Sequence, residues 1–349
     1  MKCFVNNVLL LSVTLLIITA CGSNNSNYEP YVLEPIFITE VTPGQTPAPA
    51  YQPESTPHPD PTPGLYADVP FMWLVTSPHN GQAMYMFGAI HAATADLYPL
   101  SPIIMDAFHR SDYVALEGAG PGTPSMIELS TLADGRTIID YIPLELYQWA
   151  LDVLIEYENY IPPWIPHETI ENSHPNVLMS TLSMVALNKS IIEGEYGIDL
   201  FFNIEAFQSG KEVLWIEQYP GLEHSLAIEA ILSLPIEVFI QIIEQQLHIG
   251  ITTTAVDTGY LYKAWRSGND EALLNIWQQE LDMFDTAELA ALYNDAMTTR
   301  RRIHMANRAS QFMAENKSVF FVVGAFHLIG DNSIIDLLEQ RGYEVERVR

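Results

Sequence analysis

Cysteine is almost absent from this chain of 349 residues, which contains only Cys3 and Cys21. Because both lie within the first 21 residues, the remainder of the chain can form neither a disulfide bond nor a thiolate site. This absence excludes cysteine proteases and zinc ribbons as functional classes.

Positive charge is also scarce, since 15 Lys and Arg residues stand against 43 Asp and Glu residues and give a formal net charge of -28. A surface of this sign repels nucleic-acid phosphates, so we expect no nucleic-acid partner. The sequence also lacks a glycine-rich phosphate loop, a Gly-x-Ser-x-Gly elbow and a His-Glu-x-x-His helix. The common templates for nucleotide binding, serine hydrolysis and metalloproteolysis therefore do not fit.

The N-terminal segment has the pattern of an export signal. Lys2 precedes an apolar run at residues 8–20, which is short for a membrane span and ends in Ile18-Thr19-Ala20-Cys21. This ending resembles a lipobox, which predicts a lipoprotein signal peptide at residues 1–20 and lipidation of Cys21. Since several acyl chains hold a protein durably at a bilayer, we expect a lipid anchor in the cell membrane, on its extracytoplasmic face. An ordinary signal peptide and an uncleaved anchor are the alternatives.

Residues 21–66 are rich in proline, as in Thr56-Pro57-His58-Pro59-Asp60-Pro61-Thr62-Pro63. Proline removes amide donors and favours extended geometry, which predicts a disordered, solvated stalk. The stalk would lift a folded domain at residues 67–349 away from the membrane.

Within residues 67–349, short apolar runs alternate with longer amphipathic segments, which is typical of an α/β fold. We predict a central mixed β-sheet flanked by helices, with a helix-rich middle insertion, and a hairpin turn at Pro78-His79-Asn80-Gly81. The predicted strands are 72–76, 83–90, 113–117, 212–217, 319–324 and 344–348. The predicted helices are 103–109, 144–158, 177–188, 200–209, 222–232, 236–248, 257–266, 271–284, 287–316 and 333–341.

One sequence device occurs twice: an apolar strand followed by Gly-x-x-His, as Gly88-Ala89-Ile90-His91 and as Gly324-Ala325-Phe326-His327. Sites in open α/β sheets form at the carboxyl ends of strands, where glycine permits a close approach of the backbone. Neutral imidazole is a preferred ligand of zinc, cobalt and manganese. The repeated motif therefore predicts that His91 and His327 meet at a metal site.

Acidic residues follow two further apolar strands, at Glu117 and Glu217. A carboxylate at such a position is costly to bury without a cation or hydrogen bonds, so each is a candidate metal ligand or general base. A structural salt bridge or a helix N-cap contact is the alternative. Arg301, within Arg300-Arg301-Arg302, is a candidate to bind a substrate carboxylate or an oxyanion, with a solvated face or pairing with acidic residues as alternatives.

These segments resemble the TraB/GumN family, which includes the Tiki metalloproteases. The resemblance is carried by both Gly-x-x-His motifs, by Glu117, by Gly197-Ile198-Asp199 and by Arg301. It implies a fold akin to the erythromycin esterase and ChaN-like group. It also implies a divalent-metal-dependent peptidase with His91, His327 and Glu117 in the active site.

The function predicted from the sequence is therefore a lipid-anchored hydrolase that uses a divalent ion (Mn, Co or Zn) to cleave a peptide or protein substrate. His91, His327, Glu117 and Glu217 are the predicted metal ligands, and Arg301 is the predicted substrate-binding residue. One alternative is a haem- or ligand-binding lipoprotein of ChaN-like type without catalysis, and another is a surface interaction protein. No oligomeric state is predicted.

Overall fold

The computed structural model describes residues 69–349 except 122, 134, 164 and 219–223. Cys21, the predicted signal peptide, the whole of the predicted stalk at 21–66 and residues 67–68 of the predicted domain lie outside the described residues. Within the described part, an α/β fold is built on a six-stranded sheet with the order β4-β3-β5-β2-β1-β6. The strands are β1 (Met72–Thr76), β2 (Ala83–Ala89), β3 (Tyr113–Leu116), β4 (Glu212–Trp215), β5 (Val319–Gly324) and β6 (Glu344–Arg347).

The sheet is mixed, as the sequence predicts. Strands β4, β3, β5 and β2 run parallel, whereas β1 is antiparallel to both β2 and β6. The predicted turn between β1 and β2 is present, and Gly81 there has a φ of 72°, which favours glycine. Because β2, β5, β3 and β4 are parallel, their carboxyl ends meet along a single edge of the sheet.

Helices cover the sheet and form most of the chain between β4 and β5. The helices are α1 (Pro102–Arg110), α2 (Met126–Ser130), α3 (Leu144–Glu156), α4 (His167–Glu171), α5 (Pro175–Lys189), α6 (Ile198–Ser209), α7 (Leu226–Leu232), α8 (Ile236–Ile249), α9 (Ile251–Arg266), α10 (Asp270–Leu281), α11 (Ala287–Asn294), α12 (Arg300–Ala314) and α13 (Ile334–Gln340). The short helices α2 and α4 were not predicted, because neither is long enough to show a helical period in the sequence.

The continuous helix predicted at 287–316 is wrong in one respect. A π-helical turn at Asp295–Thr299 separates α11 from α12. A π turn widens the helix by one residue and changes the direction in which the following side chains point. The apolar pattern of the segment continues through this turn, so the pattern gave no signal of the break.

The core between the sheet and the helices contains a cluster of aromatic rings. Phe202 of α6 packs on Phe320 of β5 with ring centroids 4.8 Å apart, and Phe87 of β2 lies 6.1 Å from each of these two rings. The indole N–H of Trp265 in α9 donates to the carbonyl of Gly88 at 2.9 Å. These contacts attach α6 and α9 to the strands that carry the two Gly-x-x-His motifs.

Within the described residues no single helix has the length and hydrophobicity to cross a membrane. The helices α7 and α8 satisfy the length and composition criterion only as a pair, which is bent by 91°.

Candidate functional site

The carboxyl-end edge of the sheet brings four predicted site residues together. His91 and His327 follow β2 and β5, while Glu117 and Glu217 follow β3 and β4. The backbone bonding continues past the strand ends, since the Glu117 N–H donates to the Val322 carbonyl at 3.2 Å and the Glu217 N–H donates to the Gly118 carbonyl at 3.0 Å. Neighbouring parallel strands thus carry both carboxylates to the same buried edge.

Gly324 lies where three of these side chains converge. A Cβ atom on this glycine would lie 3.4 Å from Glu117 Oε2, 3.6 Å from His91 Nε2 and 3.7 Å from His327 Cδ2. A larger side chain would therefore fill the space that the two imidazoles and the carboxylate share. Glycine at position 324 keeps this space open.

Gly88, the equivalent residue of the first motif, has a different environment. A Cβ atom here would lie 2.7 Å from the Phe71 Cβ atom and 3.0 Å from the Cα atom of Ala325. Such contacts are too short for a side chain, so glycine is needed for close packing between the two motifs. The first glycine of the repeat thus serves packing, and the second leaves space at the site.

His91 is held by a carboxylate that was not among the predicted site residues. Its Nδ1 atom lies 2.6 Å from Oδ2 of Asp199 in the first turn of α6. Since an ionised carboxylate only accepts hydrogen bonds, Nδ1 carries the proton and Nε2 is left facing Gly324. Burial lowers the pKa of His91, but the Asp199 carboxylate outweighs burial and the net pKa is raised.

Helix α6 can reach His91 only because Gly197 precedes it. A Cβ atom on Gly197 would lie 2.3 Å from the carbonyl oxygen of His91, and the Ile198 N–H donates to the Ile90 carbonyl at 2.9 Å. The sequence pointed to Asp199 only through the Gly197-Ile198-Asp199 segment, which is part of the family resemblance. Its spatial partner, 108 positions away, could not be read from the local pattern.

His327 lies in a 3-10 turn at Ala325–His327 and is buried, and within the part of the chain that the structure describes neither of its ring nitrogens has a hydrogen-bond partner. Its Nε2 atom is 3.6 Å from Glu117 Oε1, which is too long for a hydrogen bond. Burial lowers the pKa of His327 to about 4 despite the nearby Glu117 carboxylate. The imidazole is therefore neutral near pH 7.

Arg301 joins the two strand-end glutamates beneath this space. It donates from Nη2 to Glu117 Oε1 at 2.5 Å and from Nε to Glu217 Oε1 at 2.6 Å, and its side chain is 1% exposed. Pairing with acidic residues, one of the alternatives left open by the sequence, is therefore the observed contact of Arg301. This geometry does not test whether Arg301 binds a substrate, so the substrate-binding role of Arg301 stays a prediction.

The two carboxylates differ although they share one arginine. Burial opposes ionisation of Glu117, but the Arg301 guanidinium holds its pKa well below the usual range, and its Oε2 also accepts the Gly324 N–H at 2.6 Å. Burial raises the pKa of Glu217, whose Oε2 has no hydrogen-bond partner among the described residues. Glu117 is thus the ionised carboxylate that faces the histidines, while Glu217 lies on the far side of Arg301.

Arg302 stabilises the turn that carries His327. It donates from Nη2 to the Phe326 carbonyl at 2.5 Å and from Nη1 to the Asp331 carbonyl at 3.3 Å. Burial lowers the pKa of Arg302 to about 10, which still leaves it charged near neutral pH. This contribution was not assigned from the sequence, because three adjacent arginines do not reveal which of them points inward.

The donor types suit a divalent ion only in part. His91 Nε2, the unpartnered His327 ring and the Glu117 carboxylate surround one space, and Asp199 orients His91 as carboxylates commonly orient metal-binding imidazoles. Within the described residues, however, no three His, Cys, Asp or Glu groups form a cluster with metal-binding geometry. Glu117 is bonded to Arg301 and Gly324 instead, and Glu217 lies behind Arg301.

Residues 71–347 match the model of the TraB/PrgY/gumN family, which covers more than half of the chain. The chain belongs to the TraB/PrgY/gumN family. This confirms the family that the sequence motifs indicated. No solved structure gives a significant match to this TraB family chain.

Curated relatives of this TraB family chain include Tiki metalloproteases, and the relationship is distant. Metalloprotease TIKI2 of Xenopus tropicalis is 24% identical over 314 residues, which cover 79% of this chain and 59% of the relative. Metalloprotease TIKI1 of Danio rerio is 22% identical over 314 residues, covering 79% of this chain and 62% of the relative. Metalloprotease TIKI1 of Homo sapiens is 24% identical over 319 residues, which cover 79% of this chain and 61% of the relative. The chain thus spans about three fifths of these relatives' length.

Proposed function

We propose that this TraB family chain is a divalent-metal-dependent hydrolase that cleaves amide bonds in peptides or proteins. The observation that carries the proposal is the convergence of His91, His327 and Glu117 on the space that Gly324 leaves open. The distant relationship to proteins named metalloproteases supports the same class of reaction.

In this proposal His91 and His327 hold the ion through their ring nitrogens, with Glu117 as the third donor. An ion there supplies Lewis acid chemistry, which lowers the pKa of water and polarises a carbonyl group. Hydrolysis adds one water across the amide, so that the C–N bond breaks, a C–O bond forms and the leaving nitrogen gains a proton.

The protein's own groups prepare this chemistry. Asp199 fixes the tautomer and orientation of His91, and burial keeps His327 neutral and therefore able to donate a lone pair. Arg301 and the Gly324 N–H hold the Glu117 carboxylate in place. A carboxylate whose pKa is held this low is a weak base, so we assign Glu117 as a ligand and not as the general base. Arg301 is a positioning residue in this scheme.

The experiment compares full-length wild type with the double variant His91→Ala, His327→Ala and with a control, His79→Ala, in an exposed turn. Bound manganese, cobalt and zinc are measured by mass spectrometry, and cleavage is measured on a broad peptide library. We expect stoichiometric metal and cleavage in wild type and in the control, and loss of both in the double variant. A wild type that binds no metal and cleaves nothing would contradict the proposal. A Soret band after reconstitution would support the haem-binding alternative.

We further propose that the protein is anchored at the extracytoplasmic face of the cell membrane through lipidated Cys21. The supporting observation is the lipobox-like sequence Ile18-Thr19-Ala20-Cys21. We expect Cys21→Ser to move the protein from the membrane fraction to the soluble fraction, with Cys3→Ser as the matched control. Retention of the Cys21→Ser variant in the membrane would contradict lipidation.

A further inference from the structure

A pocket opens beside the two histidines and has its own chemical character. It has a volume of about 40 Å³, and His91 and His327 are among its lining residues. Its other lining residues come from α9, α10, the π turn and both Gly-x-x-His motifs, with Leu261, Leu273 and Phe326 among them. The pocket shares these two histidines with the candidate catalytic centre, and its other described lining residues are apolar or aromatic except Thr298.

The polar groups in these walls are bonded elsewhere. Trp265 donates its indole N–H to the Gly88 carbonyl at 2.9 Å, and Trp277 donates its own to Asn294 Oδ1 at 2.9 Å. The Thr298 hydroxyl donates to the Asn294 carbonyl at 2.8 Å. The tryptophans therefore present ring surface to the pocket. Among the described residues that line it, the imidazoles of the two motifs are the polar side chains available to a ligand.

No Lys, Arg, Asp or Glu side chain is among the described residues that line this pocket. A charged side chain placed among these lining residues would lose its hydration without gaining an ion pair from them, which is strongly unfavourable. An apolar group would instead gain from leaving water. The pocket therefore disfavours ligand side chains of either charge, although the chain as a whole carries a net charge of -28.

The size of the pocket limits what enters it. A cavity needs a volume of about 10–15 Å³ to hold one water molecule, and this pocket has a volume of about 40 Å³. It therefore accommodates a group of about three or four heavy atoms by the same measure. This is the size of a leucine or methionine side chain and is smaller than the indole of tryptophan.

We infer that this pocket is the specificity pocket of the enzyme, and that it takes an uncharged aliphatic side chain, of leucine or methionine size, next to the amide bond that is cleaved. The inference rests on the proposed function, because it places the pocket's occupant beside the bond that His91 and His327 would act on. Trp265, Trp277 and Leu273 are the specificity-determining residues.

The test uses matched peptides that differ at one position beside the cleaved bond, carrying Leu, Met, Lys, Glu or Gly there. With full-length, metal-loaded protein we expect kcat/KM for Leu and Met to exceed that for Lys and Glu by at least about tenfold. Equal values across the series, or a preference for Lys or Glu, would overturn the inference while leaving the hydrolase proposal intact.

A second variant tests the wall itself. Leu273→Ala enlarges the pocket, so we expect the ratio of kcat/KM for Phe over Leu peptides to rise by about tenfold. Leu292→Ala, on the exposed face of α11, is the matched control and should leave the ratio unchanged. Because the ratio is measured within one preparation, partial unfolding does not alter it. An unchanged ratio in Leu273→Ala would overturn the assignment of this wall.

A binding measurement separates this inference from failure of catalysis. If no peptide is cleaved, the indole ¹H–¹⁵N resonances of the six tryptophans are followed during titration with the Leu and Lys peptides. Assignment by Trp265→Phe and Trp277→Phe identifies the two pocket resonances. We expect both to shift with the Leu peptide and to remain still with the Lys peptide. Absence of any shift with the Leu peptide would overturn the inference.

Discussion

The two Gly-x-x-His segments have the same residue pattern in different surroundings. His91 follows β2 in a loop and is bonded to Asp199, whereas His327 lies in a 3-10 turn after β5 and has no hydrogen-bond partner on its ring among the residues described. Their pKa values are shifted in opposite directions as a result. The elements that pack around each histidine, and not the repeated motif, decide what the histidine can do.

The glycines of the two segments differ in the same way. Gly88 is in close contact with Phe71 and Ala325, and Gly324 faces the shared space of the site. Arg301 and Arg302 both act on the second segment, through Glu117 and through the Phe326 carbonyl. The first segment depends on a glycine-led helix, α6, and the second depends on two buried arginines of α12.

Removing the arginine beneath the second segment should have the largest effect on stability. Arg301→Met would leave the buried carboxylates of Glu117 and Glu217 without their shared cation, and we expect a loss of about 3–5 kcal/mol in the free energy of unfolding. The matched control is Arg300→Met, whose exposed pair with Asp295 should be worth less than about 1 kcal/mol. Urea denaturation measures both, and equal losses would contradict the proposed support of the second segment.

Alanine at the two motif glycines should separate packing from site chemistry. Gly88→Ala forces a Cβ against backbone and should cost about 1–3 kcal/mol of stability. Gly324→Ala meets neighbours only at van der Waals distances, so we expect a loss of no more than about 1 kcal/mol together with loss of metal-dependent thermal stabilisation. Calorimetry with and without manganese measures both effects. The same pattern in both variants would show that the glycines are equivalent after all.

The smallest expected effect is on the pH dependence of the metal-free protein. Imidazole titration by NMR should show His327 titrating near pH 4 and His91 above its ordinary value of about 6.5. Asp199→Asn removes the charge that raises the pKa of His91, so we expect that pKa to fall while the pKa of His327 stays. A His91 pKa that does not respond to Asp199→Asn would contradict the assigned pairing.

These shifts give opposite contributions to stability. Because the pKa of His91 is higher in the folded state, its contribution is fully present below about pH 6.5 and is lost as the pH rises through its folded pKa. The pKa of His327 is lower in the folded state, so its contribution is present above about pH 6.5 and is lost as the pH falls toward about 4. His327→Gln should flatten the acid side of the stability profile, and Asp199→Asn the alkaline side.

Strand positions were accessible to sequence reasoning because hydrophobic runs report burial directly. The predicted bounds of β1 and β5 agree with the structure, whereas the predictions for β2, β3, β4 and β6 extended one or two residues too far. At β3 and β4 the extra residues include Glu117 and Glu217, which continue the backbone bonding but turn their side chains toward the site. The sequence therefore identifies a carboxylate at a strand end as a candidate site residue, but it does not identify the side chain that the carboxylate contacts.

The partners themselves required the tertiary structure. Asp199 meets His91 only because α6 docks at Gly197, and Arg301 reaches two glutamates that lie 184 and 84 positions away in the sequence. Contacts between residues so far apart produce no periodic pattern in the sequence, whereas a glycine followed by an acidic residue at the start of a helix is a recognisable local pattern. The resemblance to a family pointed to these positions, and the geometry shows what they contact.

The π turn at Asp295–Thr299 has a consequence for how this chain can vary. Each residue of an α-helix advances by about 100° around the axis, and Arg300, Arg301 and Arg302 point respectively to solvent, to the glutamates and to the motif turn. Deleting one residue from the turn would rotate all three side chains together, so that each arginine would take the position that the preceding residue now occupies. The length of this segment is therefore constrained as strongly as its residues, and insertions or deletions there should be tolerated less than substitutions.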